Sequence, residues 1–389
     1  MSAARPSDFF SLRLAAFYAT LGVSTGIGMP FFPVWLEFKG LTAVEIGIIL
    51  AVPMFIRIIF VPLATRLADR YNMLRGAIIN ASIGSFNGNA AIGFSNTFVT
   101  MFFVIIAAAV FFTPTYSLAD AYALRGLRER GKSYGAVRLW SSVAYIGANF
   151  GGGFVVGVMP KEGIIWLITA PFIVGIVLSW ALIPISTHSH EAATDATPKQ
   201  SLWRMPVFVA MVLACGAIQS SHALFYGFST IAWSAKGLSD PVIGGLWAIG
   251  VISEIALFAL SGRLALYVSP VALIILGGLG GVLRWTIMAF DPPFVLLPVL
   301  QCLHAFSFGA THIGAVQFLS QVAPAGRGAT AQGDLAATQA VIFSVAMGLS
   351  GWMFRSFGDL AYLAMTFLSA VGLVAALFAR AMLRKQRPV

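Results

Sequence analysis

The chain has 389 residues, 59% of them hydrophobic and only 10% charged, with a mean hydropathy of +0.88. A soluble domain carries about 25% charged residues, so the composition excludes a soluble enzyme and indicates an integral membrane protein. The apolar stretches are too long and continuous for outer-membrane strands of about 10 alternating residues, which leaves helices.

Hydrophobic windows bounded by polar turns predict twelve spans, near 9–37, 43–65, 74–95, 97–124, 133–158, 163–185, 206–235, 241–262, 269–289, 293–320, 330–355 and 358–383. The first apolar segment lacks a small-residue cleavage site and is too long for a signal-peptide core, so it is expected to stay as a span. Pro30 and Pro33 predict an irregular or kinked outer end for it. The net charge is +10, from 24 Lys and Arg against 14 Asp and Glu. Three of the basic residues, Arg57, Arg138 and Arg284, fall within spans. With a cytoplasmic N-terminus, Lys39, Lys161, Lys236 and Arg355 lie outside and the other 17 lie inside. That asymmetry places both termini in the cytoplasm and accounts for the charge without nucleic acid. Cys215 and Cys302 both fall within apolar spans, where they are expected to be free, buried thiols.

Ser186–Ser201 is polar and contains Pro198. It reads as part of a cytoplasmic linker, 186–205, between an N-terminal bundle, 1–185, and a C-terminal bundle, 206–389. Its histidines, His188 and His190, read as solvated loop residues, and no metal or cofactor is expected. The halves repeat at an offset of 197 residues. Ile46-Gly47 falls on Ile243-Gly244, Ala51 on Ala248, Ile58 on Ile255, Leu63 on Leu260, and Arg66-Leu67-Ala68 on Arg263-Leu264-Ala265. Arg57 then corresponds to Glu254. The fold class expected is an all-α integral membrane protein, twelve helices in two pseudo-symmetric six-helix bundles. Parallel repeats of this kind imply a transporter with a site near the bilayer midplane.

Glu254 lies mid-span in Gly244–Gly262. A charged side chain there costs about 3 kcal/mol on insertion scales. It needs a partner, a wet cavity, or a proton that comes and goes. Polar faces recur at helical spacing on four spans: Arg138, Ser142, Tyr145 and Asn149; Thr113, Tyr116 and Asp120; Tyr18, Gly22 and Thr25; Gln219, His222 and Tyr226. They suggest a wet cavity, or interhelical hydrogen bonding of the kind common in membrane bundles.

Thr65-Arg66-Leu67-Ala68-Asp69-Arg70-Tyr71-Asn72 resembles the loop motif of the major facilitator superfamily, with Thr65 and Asn72 where glycines are usual. Met29-Pro30-Phe31-Phe32-Pro33-Val34-Trp35-Leu36 and Glu45-Ile46-Gly47-Ile48-Ile49 resemble its lactose-permease branch. Five further stretches resemble the phenylpropionate-permease family: 134–142, 221–228, 244–254, Leu283-Arg284-Trp285 and 303–309. The resemblance implies a major facilitator fold and proton symport. It implies that Asp69, with Arg70, stabilises one conformational state by capping a helix of the other half. It makes Asp120 and Arg138 candidates for substrate contact, or else a structural ion pair. Arg138 can present a planar fork to a carboxylate. Tyr18, Tyr116, Tyr145, Asn149, Gln219, His222 and Tyr226 join them as substrate-binding candidates. Glu254, Arg284 and His304 match the order of the branch's proton-coupling residues, with Ser307 where a further acid is usual, so Glu254 becomes the proton acceptor. His312 has weaker support. Arg57 and Asp334, the latter opening the eleventh span, are candidates for a gating pair.

The function expected is proton-coupled uptake of a small organic solute, such as an aromatic or other carboxylic acid, by alternating access. Alternatives are a proton-driven drug or metabolite exporter, or a nucleoside or sugar symporter. Gly147-Ala148-Asn149-Phe150-Gly151-Gly152 lacks the proline of the exporter motif. No His-Glu-x-x-His, Gly-x-Ser-x-Gly or P-loop occurs, so no enzyme is expected. The partners expected are a small-molecule substrate, protons and the bilayer, for a monomer in a bacterial-type inner membrane.

Overall fold

Short polar side chains start the helices. In the computed structural model, which describes residues 9–185, 202–323 and 328–385, Thr42 and Glu45 cap each other reciprocally at the start of the second helix. The Thr42 amide donates to Glu45 Oε2 at 2.8 Å and the Glu45 amide to Thr42 Oγ1 at 3.3 Å. Thr97 and Thr100 form a second capping box, and Ser269 caps a helix with Pro270 in its first turn. The described residues are helical and contain no strand.

The first six rods are α1 (Phe10–Phe38), α2 (Ala43–Arg70), α3 (Leu74–Phe94), α4 (Phe98–Glu129), α5 (Tyr134–Val158) and α6 (Ile164–Ala181). They are followed by α7 (Pro206–Ser220), α8 (Ala223–Ala235), α9 (Asp240–Tyr267) and α10 (Pro270–Ala289). The chain continues with α11 (Leu297–Cys302), a π-turn (Ala305–Ala310), α12 (Thr311–Val322), α13 (Gly328–Phe357) and α14 (Tyr362–Lys385). Ten stretches among the described residues are long and apolar enough to cross a membrane. One of them, Thr330–Arg384, holds both α13 and α14, and α3, rich in Gly, Ser and Asn, is not among the ten. The twelve expected spans all fall on helical stretches, two of them interrupted.

α1 runs without a break through Pro30 and Pro33, so its outer end is helical rather than irregular. Two further expectations about local structure are corrected. The expected span 206–235 is broken at Ser221–His222, and the expected span 293–320 is interrupted by the π-turn. Cys302 is exposed, whereas Cys215 is buried as expected. The expected linker lies outside the described residues as far as Ser201, His188 and His190 included; its last residues begin with a single 3-10 turn, Leu202–Arg204.

The 197-residue offset is reproduced in the helix bounds. α2 and α9 are both 28 residues long, and both ends differ by 197. The repeat also reaches further back: Lys39-Gly40-Leu41 corresponds to Lys236-Gly237-Leu238. Gly40 and Gly237 both have φ +84, the left-handed backbone that ends a helix.

Contacts divide the described residues into two units. The first lies within Met1–Leu41, Phe55–Ala193 and Ser239–Gly244; the second within Thr42–Met54, Thr194–Leu238 and Gly245–Val389. α2 and α9 thus each contribute to both. In the first unit, α1 packs on α5 and α6, and α3 on α4 and α6. Gly22 sits against the Ser141 backbone, with no room for a Cβ. Small residues of this kind let membrane helices approach closely. In the second unit, α7 packs on α13 and α14, and α10 on α12 and α14. Large apolar side chains such as Phe103, Val177 and Phe367 stay exposed, as a lipid-facing surface requires.

Candidate functional site

In the first unit the polar faces of α1, α4 and α5 meet at Asp120. The Tyr18 hydroxyl donates to Asp120 Oδ1 at 2.5 Å, and the Tyr134 hydroxyl donates to the same oxygen at 2.9 Å. Arg138 Nε lies 3.5 Å from that oxygen. The Arg138 guanidinium also lies over the rings of Tyr18 and Tyr116, at 5.2 and 4.8 Å. Such placement favours a cation through the ring quadrupole. Tyr116 continues the network to Ser141 at 3.0 Å and to Thr25 at 3.5 Å. Arg138 thus meets Asp120 through Nε.

Further along α5 the face diverges. Tyr145 donates to Met29 Sδ, and Asn149 Nδ2 donates to the Tyr145 carbonyl. Neither hydrogen bond reaches Asp120. Asn149 Oδ1 is buried without a hydrogen bond.

In the second unit two helix irregularities carry two histidines. The break between α7 and α8 forms because side chains take backbone partners there. Ser221 Oγ donates to the Ile218 carbonyl at 2.6 Å, and His222 Nδ1 lies 3.0 Å from the Gln219 carbonyl. Trp285 Nε1 on α10 donates to Ser221 Oγ at 2.8 Å and holds the break in place. His304 precedes the π-turn, a feature frequent at functional sites. The two imidazoles lie 5.2 Å apart, nearly perpendicular.

The hydrogen bonds fix both tautomers. A carbonyl only accepts, so His222 carries its proton on Nδ1, and its Nε2 lies 3.1 Å from Ser307 Oγ, which also donates to the Leu303 carbonyl at 3.2 Å. A guanidinium only donates, so His304 Nδ1 accepts from Arg284 Nη1 at 3.2 Å. His304 Nε2 then carries the proton, and it faces Glu254 Oε2 at 3.4 Å. Arg284 is fully buried; its Nη2 donates to Gln301 Oε1 at 2.7 Å, and it lies against Phe225 and Trp285. Tyr226 belongs to the same aromatic cluster, beside His222 and Trp247. Gln219 contributes its carbonyl, while its Nε2 is buried without a hydrogen bond. His312 lies on α12, its ring stacked with Phe308.

The remaining candidates stand apart. Asp69, at the end of α2, pairs with Arg125 of α4 at 3.4 Å, and Arg70 lies over the Tyr71 ring. Arg57 is exposed on α2 in the first unit. Asp334 belongs to the second unit and lies inside α13, which starts at Gly328, so it does not open that helix.

Sequence reasoning omitted Tyr134, Ser141 and Gln301. Tyr134 is four residues before Arg138 and Gln301 three before His304, so helical spacing holds the signal for both. Ser141, rather than Ser142, faces Tyr116. Outside the spans, Lys236 bridges Asp291 and Asp359. Partial burial works against its charge, but the two carboxylates outweigh it and raise its pKa.

The profile of the MFS_1 like family matches residues 11–379. The chain is 30% identical over 350 residues to the "Probable 3-phenylpropionic acid transporter" of Escherichia coli (strain K12), covering 86% of each chain. It is 25% identical over 351 residues to the maltose permease of Geobacillus stearothermophilus, covering 86% of this chain and 84% of that one. Among solved structures it resembles the nucleoside transporter NupG, with a TM-score of 0.77, 16% identity and coverage of 96% and 99%. It also resembles a bacterial homolog of the human lysosomal transporter Spinster, with a TM-score of 0.73, 13% identity and coverage of 99% and 100%. These relatives and neighbours are transporters, not enzymes. The chain belongs to the MFS_1 like family: it is a multi-pass membrane transporter of small molecules with the major facilitator fold.

Proposed function

We propose that this transporter is a proton-coupled symporter that takes up a small organic carboxylate, aromatic acids among them, by alternating access. It acts as a monomer in a bacterial inner membrane, with both termini in the cytoplasm. The observation that carries the reading is the buried line Glu254–His304–Arg284. An acid at membrane depth, joined through a neutral imidazole to a fixed cation, can exchange a proton without leaving two charges unmatched. Glu254 is the proton acceptor, and His304 and Arg284 set its surroundings.

The substrate class draws support from the relative whose name specifies 3-phenylpropionic acid. The Asp120 cluster contacts the solute, with Arg138, Tyr18 and Tyr116 in direct reach. Tyr145 and Asn149 in the first unit, and Gln219, His222 and Tyr226 in the second, are the further residues assigned to the solute. Asp69 and Arg70, and the Arg57 and Asp334 pair, bias the exchange between states.

Uptake of 3-phenylpropionate into proteoliposomes tests this. Wild-type protein accumulates it when the outside is acidic, and Glu254→Gln exchanges it without accumulating it. Gradient-driven accumulation by that variant at the wild-type level rules out Glu254 as the coupling group. Accumulation of maltose or a nucleoside, but of no carboxylate, replaces the substrate class.

A further inference from the structure

Arg284 is fully buried, and no carboxylate lies within ion-pair distance of it among the described residues. Its Nε has no hydrogen-bond partner. Neither does Nε2 of Gln301, whose Oε1 accepts from Arg284 Nη2. A buried cation beside two orphaned donors calls for an anion or acceptor. Arg138 differs, because Asp120 already lies 3.5 Å from it.

The charge nearest to hand is Glu254, and it acts on Arg284 only across His304. Glu254 Oε2 is 3.4 Å from Nε2, and Nδ1 is 3.2 Å from Arg284 Nη1. An ionised Glu254 therefore balances Arg284 through the ring. A protonated Glu254 leaves one positive charge and two free donors in a buried place. The other titratable groups around Arg284 are His222, Tyr226, Cys302 and Tyr362, and His312 stands near Glu254. None of them is a carboxylate.

We propose that Arg284 and Gln301 form the seat for the carboxylate of the transported solute, filled when Glu254 is protonated. This rests on the symport reading and deepens it, since it names the group that feels the proton. The Phe225 and Trp285 rings, 4.8 and 4.5 Å from the guanidinium, hold it in place from the apolar side. Proton and anion each strengthen the other's binding by the same factor. Above the titration of Glu254, affinity for the acid falls about tenfold per pH unit.

The test is binding of benzoate, cinnamate and hexanoate to the purified full chain by calorimetry, with benzyl alcohol as the neutral control. Wild-type protein binds at least one acid about tenfold or more tighter near about pH 5.5 than near about pH 8. Glu254→Gln holds the low-pH affinity at both values. Arg284→Lys weakens binding about tenfold or more, and Gln301→Leu weakens it several-fold. Gln301→Leu keeps the charge in place and so gives the answer if Arg284→Lys does not fold. Wild-type pH dependence surviving in Glu254→Gln overturns the proposal. So does wild-type affinity in Gln301→Leu. In either case, gradient-driven uptake by the wild type leaves the symport reading standing. A wild type that binds none of the acids overturns both.

Discussion

One carboxylate oxygen, Asp120 Oδ1, collects two phenols and a guanidinium within 3.5 Å. Hydrogen bonds to a charged acceptor contribute roughly 1.5–3 kcal/mol each. Tyr134→Phe should therefore loosen the cluster and lower the melting temperature, and the binding reading predicts a several-fold rise in the KM for uptake as well. An unchanged KM would make Tyr134 purely structural. Asn72 carries a different lesson. It stands where the superfamily motif has glycine, and its φ is +51. The left-handed backbone explains the glycine, and Asn is among the few side chains that tolerate it. Asn72→Gly should be neutral in thermal unfolding, whereas Asn72→Val should cost about 1–2 kcal/mol. Equal melting of both would remove the backbone explanation. Asp120, Arg138, Glu254, Arg284 and His304 were legible in sequence because charge inside an apolar span is conspicuous. Tyr134, Ser141 and Gln301 were not, because uncharged polar residues on membrane helices face one another too often to single out.

At the scale of elements, the helices α2 and α9 were readable from the shared Arg-Leu-Ala near their C-terminal ends, and the helix bounds repeat the offset. The break at Ser221–His222 was not readable. No Pro or Gly marks it, and it depends on Trp285, 64 residues away in sequence, reaching Ser221. Ser221→Ala removes that acceptor and should lower stability by about 1–3 kcal/mol, read from thermal unfolding. An unaltered transition would show that the break is set by something else. The contact of α1 with α5 depends on Gly22, which has no space for a Cβ. Gly22→Val should cost about 1–3 kcal/mol or more and lower the yield of monodisperse protein in size-exclusion chromatography. Wild-type yield and melting would contradict the close approach. Pro30 and Pro33 do not end α1, which includes both.

For the molecule as a whole, composition sufficed for class, and the family follows from a profile match over residues 11–379. The two contact units were only partly legible, because α2 and α9 each serve both. Within the second unit, Lys236 ties the loop residue Asp291 to Asp359. The carboxylates raise its pKa in the folded state, so its contribution is full below the unfolded value and is lost as the pH rises through the folded one. The side chain is 36% exposed, so the gain is about 1 kcal/mol or less. Lys236→Met should lower the melting temperature slightly at neutral pH, and the gap should close in the alkaline range.

The central claim is that solute and proton cross together through a step that needs Glu254. Its most direct test is internal pH in proteoliposomes without an imposed gradient, followed while a transported carboxylate is added outside at saturating concentration. The wild type should acidify the lumen, and Glu254→Gln should exchange labelled solute with no pH change beyond that of empty liposomes. Solute entry by the wild type without proton movement, or acidification of equal size by Glu254→Gln, would contradict the account.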